Sequence, residues 1–336
     1  MRFCSRFLLV QGVEGFQIGF LLLCISGHGS VLVEKRKLFE LTRKEKKSFL
    51  RNIIFSMVSV ICVNYKTADY LARMLASLFA FHQQPLEIFV VENASGDDLE
   101  PLRKKYPQVV FLSSDRNLGF AGGCNQGITK ANGDYFLLVN PDIEFHTDAI
   151  TQMEKMMDLN PEVGIGGISL KNYDGTQQMC VWSFPELIDQ LMVLCKLPHV
   201  FPQIKSVSQW LMKDFDYSKD ADVDQVMGAF FCIRREVVEQ IGLLDEGFFM
   251  WYEEVDFCKR AKNAGWTVHY FSQINALHKK GSSFDRLTTF RKQNMLRKSL
   301  RRYFKKHNGW FAWMFLLIGE PFFFCVACLT SFIKPH

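Results

Sequence analysis

Apolar and polar positions fall along this chain in blocks of two periods. Val58 to Val63 is a short β-branched run, Leu86 to Val91 is another, and between them Ala68 to Phe81 sets Leu71, Met74, Leu75 and Leu78 at the spacing of one helical face. Strand, helix and strand in that order predict parallel pairing, because the crossover brings the chain back to the same end of the sheet. Tyr135 to Val139 is a further uninterrupted apolar run, read as a buried strand, and Trp266 to Phe271 is read as a late one. The class this predicts is α/β: a Rossmann-like, mostly parallel sheet with helices on both faces.

Two apolar stretches lie outside that pattern. Trp310 to Ile333 is 24 residues with Glu320 as its only charge, long enough to cross a bilayer core of about 30 Å. Gly319-Glu320-Pro321 interrupts it midway, so the segment reads as a span, as a re-entrant or interfacial hairpin, or as a helix pair packed on the preceding domain. Just upstream, Arg286 to Gly309 holds nine Lys or Arg and no acid, including Arg297, Lys298, Arg301, Arg302, Lys305 and Lys306. A basic helix binds nucleic acid or anionic lipid. The apolar tail behind it decides for membrane lipids and against nucleic acid, with the basic run on the cytoplasmic side. At the other end, Phe7 to Ser26 is apolar but broken by Gln11, Glu14 and Gln17, and a charged run from Glu34 to Arg51 follows. That is too interrupted for a secretory signal. The organisation expected is a 1–56 extension (an upstream segment before a true start at Met57, or a weak anchor), a catalytic domain over 57–285, a basic helix over 286–309 and a hydrophobic membrane-associated tail over 310–336.

Composition narrows this further. The chain has 336 residues, 48% apolar and 22% charged, enough for one large domain of about 250 residues with appendages. Its ten cysteines are scattered, and only Cys325 and Cys328 have ligand-like spacing, in the apolar tail with no second pair. They read as small core residues of a reducing compartment, and zinc is not expected.

The candidate chemistry is acidic. Trp251-Tyr252-Glu253-Glu254-Val255-Asp256-Phe257 places three carboxylates within four positions, and like charges that close raise one another's pKa toward what a general base needs. The alternative is a helix N-terminus whose acids favour the macrodipole. In the second acidic site, Asn140, Pro141 and Asp142 stand at the carboxyl end of the Tyr135–Val139 strand, where ligands of open α/β sheets bind. Mg²⁺ takes one or two carboxylates plus phosphate oxygens, so Asp142 is placed to hold a metal on a diphosphate; a turn Asp after Pro is the alternative. Glu92-Asn93-Ala94-Ser95-Gly96-Asp97-Asp98 is a polar turn after the second strand, able to bond a base or ribose or to be a plain loop. Asn117 to Gly127 carries four glycines and opens a helix, but neither GxGxxG nor GxxxxGK[ST] is present.

In order, VSVICVNYKTADYL, VVENASGDD, NLGFAGGCNQGI, LLVNPDIEF, the block from MGAFFCIRREVV to FCKRAKNAGW, and ALHKKGSS resemble the family 2 glycosyltransferases, in particular the rhamnosyltransferase-like branch of bacterial surface polysaccharide synthesis. The resemblance runs from about Met57 to Gly309. It implies a glycosyltransferase-A fold, inverting transfer from a nucleotide-diphosphate sugar to a hydroxyl, and a divalent cation, Mg²⁺ or Mn²⁺. Asp142 corresponds to the last acid of the family's metal motif, with Asn140 in place of the first, and His278 matches a late His able to contact metal or diphosphate. Glu254 falls on the base position of a Glu-Asp pair. Asp256, grouped with it as catalytic, orients the helix or bonds the acceptor. Asn64, Glu92, Asn93, Asn117, Gly119, Gly122, Asn125 and Asn140 are assigned to the donor, Asp245 and Glu253 to the acceptor side.

None of the six Trp residues follows an Arg, so the Gln-x-x-Arg-Trp element of processive members is missing and addition of one or a few sugars is expected. The partners expected are a nucleotide-diphosphate sugar, a lipid-linked glycan and inner-membrane lipids, at the cytoplasmic face of a bacterial membrane. Two other classes stand beside this reading: a nucleotide-sugar enzyme of different chemistry, which would need a phosphate loop or dinucleotide fingerprint, and a non-catalytic membrane-bound scaffold.

Overall fold

The computed structural model describes residues 57–201, 203–279 and 289–333. The reading of 1–56 and the boundary at 285 lie outside the described residues. β1 (Val58–Asn64) is buried at every position, as a strand covered on both faces must be, which is why its apolar run is continuous. α1 (Ala68–Phe81) follows and buries Leu71, Met74, Leu75 and Leu78, one stripe of the 3.6-residue period. β2 (Glu87–Glu92) pairs parallel with β1, Asn64 standing opposite Glu92. α2 (Glu100–Lys105) leads to β3 (Val110–Ser113), parallel to β2. α3 (Gly119–Ile128) then carries the chain back, and β4 (Tyr135–Val139) lands parallel on the other side of β1. This reversal between β1 and β4 opens a crevice outside their carboxyl ends, the usual ligand position in such sheets.

Beyond β4 come β5 (Ile143–Glu144), α4 (Ala149–Leu159), β6 (Val163–Lys171), β7 (Val181–Trp182), α5 (Leu187–Leu194), α6 (Leu197–Val200), α7 (Lys205–Trp210), β8 (Ala221–Asp222), β9 (Gln225–Val226), β10 (Phe230–Arg234), α8 (Arg235–Ile241), α9 (Glu253–Asn263) and β11 (Thr267–His278). β10 runs antiparallel between β4 and β6, and β6 pairs parallel with β11. The order across the sheet is β3-β2-β1-β4-β10-β6-β11-β5, with β8 also on β11. The sheet is thus mixed, and its parallel half frames the crevice.

The glycines of Asn117–Gly127 are mostly packing residues. α3 begins at the first of them, Gly119, rather than after the last. A Cβ on Gly123 would fall 2.7 Å from Val63 Cγ1, and one on Gly127 2.5 Å from Ile61 Cγ2. Only hydrogen at those positions lets α3 lie this close to β1.

Two helices end the described chain: α10 (Thr289–His307) and, after Asn308, α11 (Gly309–Ile333). α11 runs unbroken through Pro321, where the sequence predicts an interruption. Proline removes one backbone bond, and the packing of Ala312, Leu316 and Phe323 in one cluster with Leu300, Tyr303 and Phe304 of α10 holds the helix across that gap. Its mid-helix charge is matched too, because Glu320 pairs with Arg301 and, at 3.8 Å, with Arg297 Nε.

Candidate active site

The carboxyl ends of β1, β2 and β4 bring Asn64, Glu92 and Asn140 to one rim. Asp142 follows β4, is 5% exposed, and has Oδ1 3.5 Å from His278 Nε2. The pairing of β11 with β5 sets this distance, since His278 stands opposite Ile143, the residue after Asp142. The separation is long for a hydrogen bond. It suits two ligands of one cation, whose bonds of about 2.1 Å place adjacent donors ~3 Å apart. A carboxylate and an imidazole fit Mn²⁺ or Mg²⁺ when diphosphate oxygens complete the shell. Among the described residues there is no cluster of three or more His, Cys, Asp or Glu that would hold a metal unaided.

The base candidate lies on the same rim. Asn140 donates its backbone amide to Ala229 O at 2.9 Å, and a Cβ on the neighbouring Gly228 would lie 3.7 Å from Glu254 Cβ. Residues 228 and 229 therefore bridge the β4 terminus and the first turn of α9. Burial raises the Glu254 carboxyl above its ordinary value, against the pull of its own amide and that of Val255. Burial, and then the charge of Glu254, push Glu253 well above the carboxylate range. Oε2 of each is buried without a hydrogen-bond partner. One proton shared between two such neighbours leaves the more accessible Glu254 able to take another.

Ahead of this pair, Trp251 and Tyr252 have φ of 64° and 71°, and Lys66 and Ala94 after β1 and β2 are also left-handed, at 60° and 55°. Such residues cost about 1–3 kcal/mol each and collect where a loop must be held in one shape. Around the crevice that shape is fixed by amides. Asn93 donates to Gly119 O at 2.9 Å and accepts from the Leu118 amide at 2.9 Å, while Asn117 Oδ1 accepts from the Gly119 amide at 2.8 Å. Gly119 has φ +75°, and a Cβ there would sit 2.3 Å from Phe249 O.

A family model for "Glycosyl transferase family 2" matches residues 59–242, more than half of the chain. The chain belongs to glycosyl transferase family 2. An N-acetylglucosaminyl-diphospho-decaprenol L-rhamnosyltransferase of Mycobacterium tuberculosis is 26% identical over 242 residues, covering 68% of this chain and 78% of that protein. Rhamnosyltransferase WbbL of Escherichia coli is 25% identical over 230 residues, 66% of this chain and 83% of its own. A mannosyltransferase from Pyrobaculum calidifontis, solved with GDP-Man and Mn²⁺, superposes with a TM-score of 0.50 at 15% identity, over 82% of this chain and 74% of that one. The fold is of the glycosyltransferase-A type and the reaction class is glycosyl transfer. The family tie is rhamnosyltransferase-like, the structural neighbour's Mn²⁺ points to a divalent cation, and the similarity to polysaccharide enzymes is compatible with membrane association.

Within this glycosyltransferase several of the residues expected to touch substrate are hydrogen-bonded to the protein. Asn64 donates to Asp97 Oδ2 at 2.9 Å and to Ser95 Oγ, and accepts from Thr67 Oγ1, which ties β1 to the loop after β2. Asn125 is 4% exposed, donates to Leu244 O and Glu246 Oε1 at 2.9 Å each and accepts from the Leu244 amide. Its amide holds the 242–249 loop at Leu244, 119 residues away. Asn93, Asn117 and Gly119 shape the loop as described, and a Cβ on Gly122 would meet Leu118 Cβ at 2.7 Å. Glu92 Oε1 accepts from the Ser95 amide at 2.8 Å and from its hydroxyl.

Asp256 and Asp245 are both paired with cations of the protein. Asp256 is fully buried and bonded by Arg260 Nε at 2.8 Å, Lys306 Nζ at 2.8 Å and His307 Nε2 at 2.8 Å. Asp245 pairs with Arg302 at 2.7 Å and Lys306 at 2.9 Å. Burial alone would raise the Asp256 carboxyl, but the bonds from His307 and Lys306 and the charge of Arg260 outweigh it and hold it below its ordinary value. Asp245, by the same balance, is brought to about 2 by Arg302, Lys306 and the Gly247 amide. These two carboxylates clamp α10 to the loop and helix that carry Glu254.

Sequence reasoning passed over Gln178, which accepts from or donates to His278 twice, and Tyr252, whose ring packs 5.4 Å from that of Tyr303. Gln178 sits in no recognisable motif, and Tyr252, though inside the acidic motif, is not marked there as a packing residue. Each owes its place to a partner on another element.

Proposed function

We propose that this chain is an inverting transferase that moves a deoxyhexose such as rhamnose from a nucleotide-diphosphate donor to a lipid-linked glycan at the cytoplasmic face of a bacterial membrane. The observation that carries the reading is the rim on which Asp142 and His278 stand 3.5 Å apart and Glu254 lies against Gly228, next to the residue that holds Asn140. The names of the curated relatives, an L-rhamnosyltransferase using a decaprenol-linked sugar and a second rhamnosyltransferase, support the donor and acceptor classes.

Glu254 takes the proton of the acceptor hydroxyl as that oxygen forms its bond to the anomeric carbon. The bond from that carbon to the diphosphate breaks on the opposite face, so the configuration inverts and a nucleoside diphosphate leaves. Glu253, held protonated, adds no second charge beside the base. A divalent cation bound at Asp142 and His278 would offset the charge growing on the leaving diphosphate. Asn140 and Glu92 remain at the crevice as donor contacts, and Lys306 with Arg302 keeps the acceptor-side loop closed on α10.

The membrane part of the proposal rests on α11. Among the described residues it holds one helical segment, Gly309–Val326, long and apolar enough to cross a membrane by length and composition. Phe311, Phe315, Ile318 and Phe322 are exposed on it at intervals of three and four, one continuous face. The cations of α10 serve this less than composition implies, because Arg297, Arg301, Arg302 and Lys306 turn to carboxylates of the protein. Apolar contact, more than charge, then holds the chain to lipid.

The test is product formation from a panel of nucleotide-diphosphate sugars with polyprenyl-diphosphate-linked acceptors, with Asp142→Ala as control. Transfer from a deoxyhexose nucleotide that Asp142→Ala abolishes is the expected result. Turnover indifferent to Asp142→Ala, or absent with every sugar, would overturn the reading.

A further inference from the structure

Gln178 lies at the end of a hairpin that folds back from β6, with its amide donating to Leu170 O at 2.9 Å. The turn between Asn172 and Thr176 reverses the chain, and Lys171 pairs with Leu277, so Gln178 arrives beside the last residue of β11. There its side chain meets His278 at two points. Gln178 Nε2 donates to His278 O at 2.6 Å, and His278 Nδ1 lies 2.8 Å from Gln178 Oε1. A third bond, from Gln178 Nε2 to Asn172 Oδ1 at 2.7 Å, completes its amide. Both residues are 5% exposed.

This arrangement determines where the imidazole proton is. A backbone carbonyl only accepts, so the end of Gln178 that touches His278 O is its NH₂ group, and the end that faces Nδ1 is its oxygen. An amide oxygen only accepts as well, so Nδ1 carries the hydrogen. In the neutral ring the lone pair is then on Nε2, the nitrogen that faces Asp142.

We propose that Gln178 is a positioning residue of the cation site: it fixes His278 in the Nδ1–H tautomer and aims Nε2 at an ion shared with Asp142. The inference rests on the metal reading of Asp142 and His278 given above. A histidine that ligates through one nitrogen is held through the other by an acceptor, and loss of that acceptor costs 10- to 100-fold in metal affinity. Elsewhere that acceptor is often a carboxylate; here it is a neutral amide, so it adds no charge to a corner that must also take a diphosphate.

The experiment measures Mn²⁺ affinity of the full chain in the presence of a nucleoside diphosphate, by titration followed by electron paramagnetic resonance, for wild type, Gln178→Leu, Gln178→Glu, Asp142→Ala, His278→Ala and the Gln178→Leu/His278→Ala double variant. Gln178→Leu weakens Mn²⁺ binding about 10- to 100-fold, Gln178→Glu, which keeps an acceptor for Nδ1, stays nearer wild type, and Gln178→Leu adds no further loss in the His278→Ala background. Nitrogen-15 spectra of the metal-free protein show the Nδ1–H form in wild type and lose that preference in Gln178→Leu. If Asp142→Ala and His278→Ala leave Mn²⁺ affinity intact, the metal reading itself fails and takes this inference with it. If those two weaken binding but Gln178→Leu does not, or weakens it equally without His278, the assignment of Gln178 alone is wrong.

Discussion

Lys306 Nζ stands 2.8 Å from Asp256 Oδ1, across 50 residues of chain, and joins the last turn of the basic helix to the helix that carries Glu254. The same ammonium reaches Asp245 at 2.9 Å. The turn that carries Glu254 is thereby held by residues that composition alone assigns to a lipid surface.

Removing one partner from this cluster leaves buried charge behind. Asp256→Ala strands Arg260, Lys306 and His307 around an empty position, and breaking a buried pair in this way costs about 3–5 kcal/mol. Asp256→Ala is expected to lower the denaturant midpoint strongly, with Lys298→Ala on the exposed side of α10 as a near-neutral control. A midpoint unchanged by Asp256→Ala would show that the clamp does not hold the fold.

Stability also depends on pH through Asp245. Its folded pKa of about 2 lies below the ~3.9 of an unfolded aspartate, so the unfolded chain binds the proton first. The contribution is full above pH ~4 and is lost as pH falls toward 2. Melting temperatures of wild type and Asp245→Asn should differ at pH 6 and converge at low pH, other acids changing both alike.

Glu254, the proposed base, titrates in the opposite sense. Burial holds the Glu254 carboxyl above the ~4.3 of a free glutamate, so it is already protonated at pH values where an ordinary glutamate is a base. The acid limb of kcat/KM should have its midpoint above ~4.3. A limb at or below that value would place the base elsewhere.

The exposed face of α11 predicts how the proposed membrane contact is made. Phe311 and Ile318 are each 71% exposed and Phe322 is 61%, and full burial of such a side chain is worth about 1.5–3 kcal/mol. Changing all three to Gln is expected to release the protein from phospholipid vesicles in flotation assays, whereas raising the salt to about 0.5 M, which shortens the Debye length to well under 8 Å, should weaken wild-type binding only modestly. Release by salt alone would return the role to the basic residues.

What the sequence made legible follows from range. β1, β4 and α1 were readable because burial on two faces or one stripe writes itself into consecutive residues. The positions of Asp142 after a strand end and of Glu254 at a helix start were readable because both signals are local as well. The contacts of Asn64, Asn125, Asp245 and Asp256 were not, since each is decided by a partner three to 119 residues away: Thr67 and Asp97, Leu244, Arg302, His307. Asparagine at a strand end looks the same in sequence whether its amide binds a sugar nucleotide or a loop. Gly319-Glu320-Pro321 misled for a related reason, because the local signal for a break is outweighed by Arg297, Arg301 and the packing of Leu316 and Phe323, which only the folded chain brings to it.

As the proposed base, Glu254 acts on the acceptor proton and not on the donor. Calorimetric titration of the donor nucleotide with Mn²⁺ into Glu254→Gln, set beside its transfer rate, tests this most directly. The expected result is donor affinity close to wild type with turnover reduced about 10²- to 10⁴-fold; donor affinity lost in step with turnover would mean that Glu254 serves the donor site.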